Sequence, residues 1–238
     1  MKQLLMDTSS ATMSVALVED DKLVMEMSVA GKKNHSLTLM PAIETLFNET
    51  AWSVRDLDNI VVAQGPGSYT GLRIAMTTAK TLAWTLKIPL RTVSSLALLA
   101  LTAHDGVIVP LINARRHHVY AGIYRVHQGK VETLLSDQYI ELDALLEEVA
   151  TYEHPIFTGE TAAFADELAE KGYSYIADGV QTQPKASMMT LLPYEEITGD
   201  AIHHVVPTYL KKVEAEENWE KTHHATQDEK DHYVQTTK

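Results

Sequence analysis

A short apolar run that passes through glycine and proline and then takes up a helical repeat constrains this chain more than any other stretch. It spans Asn59 to Leu86, NIVVAQGPGSYTGLRIAMTTAKTLAWTL. The apolar run predicts a strand, Gly65-Pro66-Gly67 a loop, and the remainder a helix for which Ser68 is a good cap. Within that helix Leu72, Ala75, Met76, Ala79, Leu82, Ala83 and Leu86 recur at three-and-four spacing and share one face. Gly71, Ala75, Ala79 and Ala83 make a ridge of small residues inside it. Small side chains let a second helix approach closely, so this face is read as a helix-contact surface whose partner lies in this chain or another.

The loop admits two readings. Gly65, Gly67 and Gly71 match neither the dinucleotide fingerprint nor the lysine-containing phosphate loop. A helix start with free amides holds an anion, whereas a plain strand-to-helix turn uses the same glycines only for their backbone freedom.

Before this stretch, Gln3 to Met6, Met13 to Val18 and Leu23 to Val29 read as three strands of an antiparallel meander. The first turn carries Asp7, Thr8, Ser9 and Ser10. Such a turn presents amides and hydroxyls to a phosphate, with the acid acting through a hydrated metal ion, or it is simply a polar hairpin turn. Asn34-His35-Ser36 opens a helix with Leu39, Ile43, Leu46 and Phe47 on one face, the expected neighbour of the small-residue ridge. Pro41 is expected in its first turn, which sets the start near Ser36 or Thr38 and makes His35 a hydrogen-bonded terminal residue.

A strand from Ile88 to Val93 and a short helix capped by Ser94-Ser95 complete a first α/β domain, residues 1–104. Val107 to Asn113, Val119 to Val126 and Lys130 to Leu135 then repeat the opening meander. Helices from Leu142 and Thr161, strands at Pro155 to Thr158 and Tyr173 to Ile176, and a helical segment at Ala186 to Leu192 fill a smaller second domain, 105–213. The repeated pattern predicts two related domains, followed by a charged, mobile or partner-dependent tail over 214–238.

Composition narrows the function classes. With 238 residues, 45% of them hydrophobic, the chain can bury a core. Its lack of cysteine removes disulfides and thiolate metal sites, and a reducing compartment is expected, here the cytoplasm. No segment approaches the roughly 20 apolar residues that span a bilayer. A formal net charge of -12 disfavours gripping nucleic acid unaided.

MDTS, NHSLTLMPAI, GPGSYTGLR, VSSLALLA, INARRHHVYAGIY and PTYLKKVEAEENW occur in that order. Together they resemble the bacterial TsaB family, also called YeaZ. The resemblance implies an α/β fold of two tandem domains of the actin, Hsp70 and sugar kinase type, each a mixed sheet flanked by helices. It also implies a non-catalytic subunit of the machinery that makes N6-threonylcarbamoyladenosine in tRNA. Such a subunit pairs with TsaD, works with the ATPase TsaE, meets tRNA only through the complex and forms a homodimer when alone. The expected contact face is Leu39, Ile43, Leu46 and Phe47 with Gly71, Leu72, Ala75, Met76, Ala79, Leu82 and Ala83.

Two departures fit a subunit without its own chemistry. Where TsaD-like proteins carry a metal-binding histidine pair, this chain has Ser95 and Leu99, and leucine cannot ligate. Where a glycine-bearing phosphate turn is expected in the second domain, it has Asn113-Ala114-Arg115-Arg116-His117. Asp7, Thr8, Ser9, Gly65, Gly67 and Arg115 are accordingly expected to mark a vestigial nucleotide site, with ATP and a metal belonging to the partner complex. The histidine pairs at 117–118, 203–204 and 223–224 diverge on strand or helix and suggest no metal site. A stand-alone peptidase and a small-molecule kinase or ATPase of the same fold class are the competing readings. The first lacks a metal motif and a nucleophile elbow, and the second lacks the phosphate turn.

Overall fold

The computed structural model describes residues 1–31, 34–179 and 182–211. The expected tail over 214–238 lies outside the described residues. Strands β1 (Lys2–Asp7), β2 (Met13–Glu19) and β3 (Lys22–Val29) form the opening meander, and helix α1 (His35–Glu49) follows. Then come β4 (Asn59–Ala63), α2 (Tyr69–Leu86), β5 (Leu90–Val93) and α3 (Ser95–Ala100). The second half runs β6 (Gly106–Arg115), β7 (His118–His127), β8 (Lys130–Glu141), α4 (Leu142–Val149), β9 (Ile156–Gly159), α5 (Ala165–Glu170), β10 (Ser174–Tyr175) and β11 (Glu195–Ile197).

The strands form two mixed sheets, ordered β11-β5-β4-β1-β2-β3 and β10-β9-β6-β7-β8. Apart from β11 the two orders are the same, each meander strand matching its counterpart. In both, the first strand pairs antiparallel with the second and parallel with the fourth. Two mixed sheets of like order, each flanked by helices, are the arrangement that the resemblance to the actin, Hsp70 and sugar kinase class implies.

Local chemistry explains the turns. Asp20-Asp21, Arg116-His117 and Gln128-Gly129 all have positive φ, the condition for the tight turn whose twist matches that of paired strands. Helix α2 begins at Ser68, whose hydroxyl accepts the Gly71 N–H, and it stops at Lys87 in the left-handed conformation. Helix α1 corrects one expectation. It starts at His35, capped by Asn34, so Pro41 falls in the second turn and not the first. Pro41 lies on the exposed side of the helix, where water is at hand for the carbonyl that the missing N–H leaves free.

Helices α1 and α2 pack on one face of the first sheet. Leu4, Met6, Val15, Leu17, Ile60 and Val62 meet Leu39, Ile43, Leu46, Ala75, Met76, Ala79 and Ala83 there. Large side chains buried in such a core contribute about 1.5–3 kcal/mol each. A second core surrounds α3, whose six residues are all buried, and joins Leu5, Ala16 and Val61 of the first sheet to Ile108, Ile112 and Tyr124 of the second. A third lies between the second sheet and α4 and α5.

The expected boundary of the second domain at 213 needs amendment, because the chain returns to the first half well before it. A 3-10 helix at Ala186–Leu191 is tied to β2 and β3: the Ala186 N–H donates to Ser14, and Ser187 donates to Glu26 through its N–H and its hydroxyl. Strand β11 then pairs with β5, supported by Arg91 on Glu196 at 2.7 Å. Met1–Thr208 is one compact unit, and the described residues from Tyr209 belong to a second. Among the described residues no helix is long and apolar enough to cross a membrane.

Candidate functional site

Corresponding turns of the two halves face each other across a cleft of about 490 Å³. The first half contributes Ser9, Ser10 and Ala11 from the β1–β2 turn and Gly67, Ser68 and Tyr69 from the β4–α2 loop. The second contributes Asn113, Ala114 and Arg115 from the end of β6, Tyr120 from β7, and Glu160 after β9. Ser9, Gly67 and Arg115, three of the residues expected at the vestigial site, line this cleft together. Asp7, Thr8 and Gly65 lie beneath the surface and are buried.

Part of this loop is committed to the chain's own backbone and side chains. The Ser68 N–H donates to the Ser9 carbonyl at 2.7 Å. The Thr8 hydroxyl donates to the Gly71 carbonyl at 2.6 Å, and the Gly65 N–H donates to the Ser95 hydroxyl at 3.1 Å. A Cβ on Gly67 would stand 2.3 Å from the Ser9 oxygen, and one on Gly71 would stand 2.0 Å from the Thr8 oxygen. These glycines exist so that the first turn and the start of α2 can lock backbone to backbone. Gly71→Ala is expected to lower stability by about 2 kcal/mol, because overpacking against a backbone oxygen, about 3 kcal/mol, outweighs the roughly 1 kcal/mol of helix propensity alanine brings. Chemical denaturation measures it, and an unchanged midpoint would refute the interlock.

The opposite wall offers no cradle either. Arg115, Arg116 and His117 are all left-handed, with φ of 66°, 52° and 60°, and the Asn113 side chain accepts the Arg115 N–H at 2.8 Å. Side chains occupy the space in which glycine would let a backbone approach a phosphate. Ser95 accepts the Gly65 N–H, and Leu99 is buried. Neither wall of the cleft thus presents a glycine-lined turn open to a phosphate.

Sequence reasoning missed Glu160. Its carboxylate accepts the Asn113 N–H at 2.9 Å, and burial pushes its pKa up. The signal was its place after β9, which corresponds to that of Gln64 after β4. His35 stands at the first turn of α1 with Nε2 2.9 Å from the Ser10 carbonyl oxygen, the terminal role expected of it.

Asp7 has one carboxylate oxygen bonded by the Ser9 N–H, while the other is buried without a partner. Burial pushes its pKa up, against the pull of that bond and of nearby His35. A raised folded pKa contributes stability that is complete below the unfolded value of about 3.9 and is lost as pH rises through the folded value. Stability should therefore decline with rising pH across that window, and Asp7→Asn should decline less. Denaturant midpoints measured from pH 4 to 8 test this, and parallel curves for the two proteins would contradict it. Asp137 and Glu160, also raised by burial, leave part of the decline in place.

The helix face assigned to partner contact is corrected by its burial. Leu39, Ile43, Leu46, Gly71, Leu72, Ala75, Met76, Ala79 and Ala83 are buried within this chain, and Phe47 and Leu82 are half-buried. The ridge of small residues serves the packing of α2 on β4 and α1, and the opposite side of the two helices is the exposed one. There Leu37 (73% exposed) and Met40 (50%) stand on α1, and Tyr69 and Trp84 on α2. His35 and Tyr69 both line the cleft, so both helices begin at it and run away in the same general direction. Leu37, Met40 and Tyr69 thus lie at the cleft end of the pair.

The family model described as TsaD, tRNA N6-adenosine threonylcarbamoyltransferase, matches residues 29–227. The protein named tRNA threonylcarbamoyladenosine biosynthesis protein TsaB of Bacillus subtilis (strain 168) is 41% identical over 224 residues, covering 91% of this chain and 96% of that one. The protein of the same name from Escherichia coli (strain K12) is 25% identical over 224 residues, covering 89% and 95%. In fold, the structure of YeaZ from Pseudomonas aeruginosa superposes with a TM-score of 0.72 at 24% identity, covering 88% of this chain and 99% of that one.

Proposed function

Since the chain belongs to the TsaB (YeaZ) family, we propose that it serves tRNA threonylcarbamoyladenosine biosynthesis as a non-catalytic subunit that binds and activates TsaD and helps recruit TsaE. One observation carries the non-catalytic part: in the β4–α2 segment the Gly65, Ser68 and Gly71 N–H groups donate to Ser95, Ser9 and Ser68 of this chain, and Gly67 and Gly71 abut the backbone of Ser9 and Thr8. A cleft closed in this way neither grips a phosphate nor aligns one for transfer. What remains for interaction is the exposed side of α1 and α2 at the cleft end. The net charge of -12 agrees with tRNA being held by the partner and not by this chain.

Light scattering on an equimolar mixture with the TsaD of the same organism tests the pairing, with the chain alone reporting any homodimer. Modification of tRNA, with threonylcarbamoyl-adenylate and TsaE supplied, then tests dependence. A one-to-one complex and modification that requires this chain are expected. TsaD that works equally well without it would overturn the proposal.

A further inference from the structure

Outside the cleft, three side chains that carry metal-ligating atoms converge from three elements. His117 closes the β6–β7 turn, Asp143 stands in the first turn of α4, and Glu167 lies in α5. His117 Nε2 is 3.6 Å from Asp143 Oδ2 and 3.5 Å from Glu167 Oε2, and all three donor atoms lie within 4.8 Å of one another. Both histidine separations exceed the roughly 3.2 Å limit of a good N–H···O hydrogen bond. They do match the spacing of ligands that share one ion, because donors at about 2.1 Å from a tetrahedral centre stand roughly 3.4 Å apart.

The turn is held in place for such a role. The Leu142 N–H donates to the His117 carbonyl at 3.0 Å, fixing the start of α4 to the turn, and the Phe164 ring stands edge-on to the imidazole at 6.5 Å. His117 also keeps a left-handed backbone, φ 60°, where asparagine or glycine would sit with less strain. The adjacent His118 is engaged elsewhere, with Nδ1 2.8 Å from the Arg116 carbonyl oxygen and its ring stacked on Tyr139 at 4.8 Å. The reading of the 117–118 pair as divergent is right about the pair, but the relevant ligands lie far along the chain.

We propose that His117, Asp143 and Glu167 form a binding site for a first-row divalent transition ion such as Zn²⁺. One imidazole nitrogen and two carboxylates supply three donors, and the half-exposed setting leaves the remaining position to water. The ion ties the β6–β7 turn to α4 and α5 and so stiffens the second-half wall of the cleft. An acidic chain attracts cations loosely at many places, so dependence on His117 distinguishes this site from diffuse uptake.

The test is calorimetric titration of the chelator-treated full chain with zinc chloride at pH 7.5 and physiological salt. One equivalent should bind saturably. His117→Ala and Glu167→Gln should each weaken it by at least about ten-fold, since even supporting residues of metal sites cost that much. His127→Ala, which removes a histidine paired with Asp105 at 3.0 Å elsewhere, should leave it unchanged. Zinc should also raise the thermal midpoint of the wild type and of His127→Ala but not of His117→Ala. Circular dichroism confirms folding, and Glu167→Gln, altering only a helix-surface side chain, serves if the histidine variant misfolds. Binding that is unaltered in these variants, or that never saturates in the wild type, overturns the proposal.

Discussion

Ala79→Arg is expected to unfold this chain, and not merely to detach a partner. Ala79 is fully buried, between the first sheet and α1, among Ile43, Leu46, Ile60 and Val62 in one core. Arginine there has neither space nor a counter-charge, and an uncompensated buried charge costs about 3–5 kcal/mol before any overpacking is added. With overpacking the sum is about 4–8 kcal/mol, comparable to the lower part of the roughly 5–15 kcal/mol by which domains are stable. Low soluble yield, or a midpoint shifted far toward zero denaturant, is the expected reading. A soluble variant with the wild-type melting curve would show that α2 does not pack as described.

The contrasting experiment is the double variant Leu37→Asp, Met40→Asp. Both side chains are largely exposed on α1, so stability should stay within roughly 0.5 kcal/mol of the wild type for each change. Two charges on the proposed docking surface are each expected to cost about 2 kcal/mol, or roughly thirty-fold in affinity for TsaD. Titration against TsaD, with a melting curve on the same sample, reads both numbers. Unchanged affinity would move the docking surface away from the cleft end of α1 and α2. Taken together, the two variants separate a face that holds the chain together from one that is free to hold something else.

How far the sequence could be read depended on range. The strand, loop and helix between Asn59 and Leu86 were legible because each rests on neighbours a few residues away: alternation, two glycines, a serine cap. The duplicated meander was legible for the same reason. Helical spacing marked Ala75, Ala79 and Ala83 as buried but could not say against what, since a ridge of small residues fits a sheet as well as a helix. Placing Pro41 required knowing which side of α1 meets solvent. Nothing local in the sequence brings His117 to Asp143 and Glu167, or Glu160 to Asn113, because strand order does that. The backbone interlock between Thr8, Ser9 and the Gly67–Gly71 segment is likewise long-range, although the glycines announced that something had to come close.

Helix α3 has a consequence for motion. It is short, buried on every side, and built into the core that both sheets share. Ser94, its cap, accepts the Ala97 N–H and donates to Asp137 on β8 at 2.5 Å, so the helix is bonded to the second half while emerging directly from the last main strand of the first. Two lobes that flex about a hinge need a thin, hydrated connection, and here the connection is itself interior. Separating the lobes would strip Leu96, Leu98 and Leu99 of their neighbours, so neither should melt without the other, and heating should show one cooperative transition for residues 1–208. Such a body behaves as a gauge block: the helix starts and the cleft rim keep a fixed separation, so any partner that spans both meets them already in register.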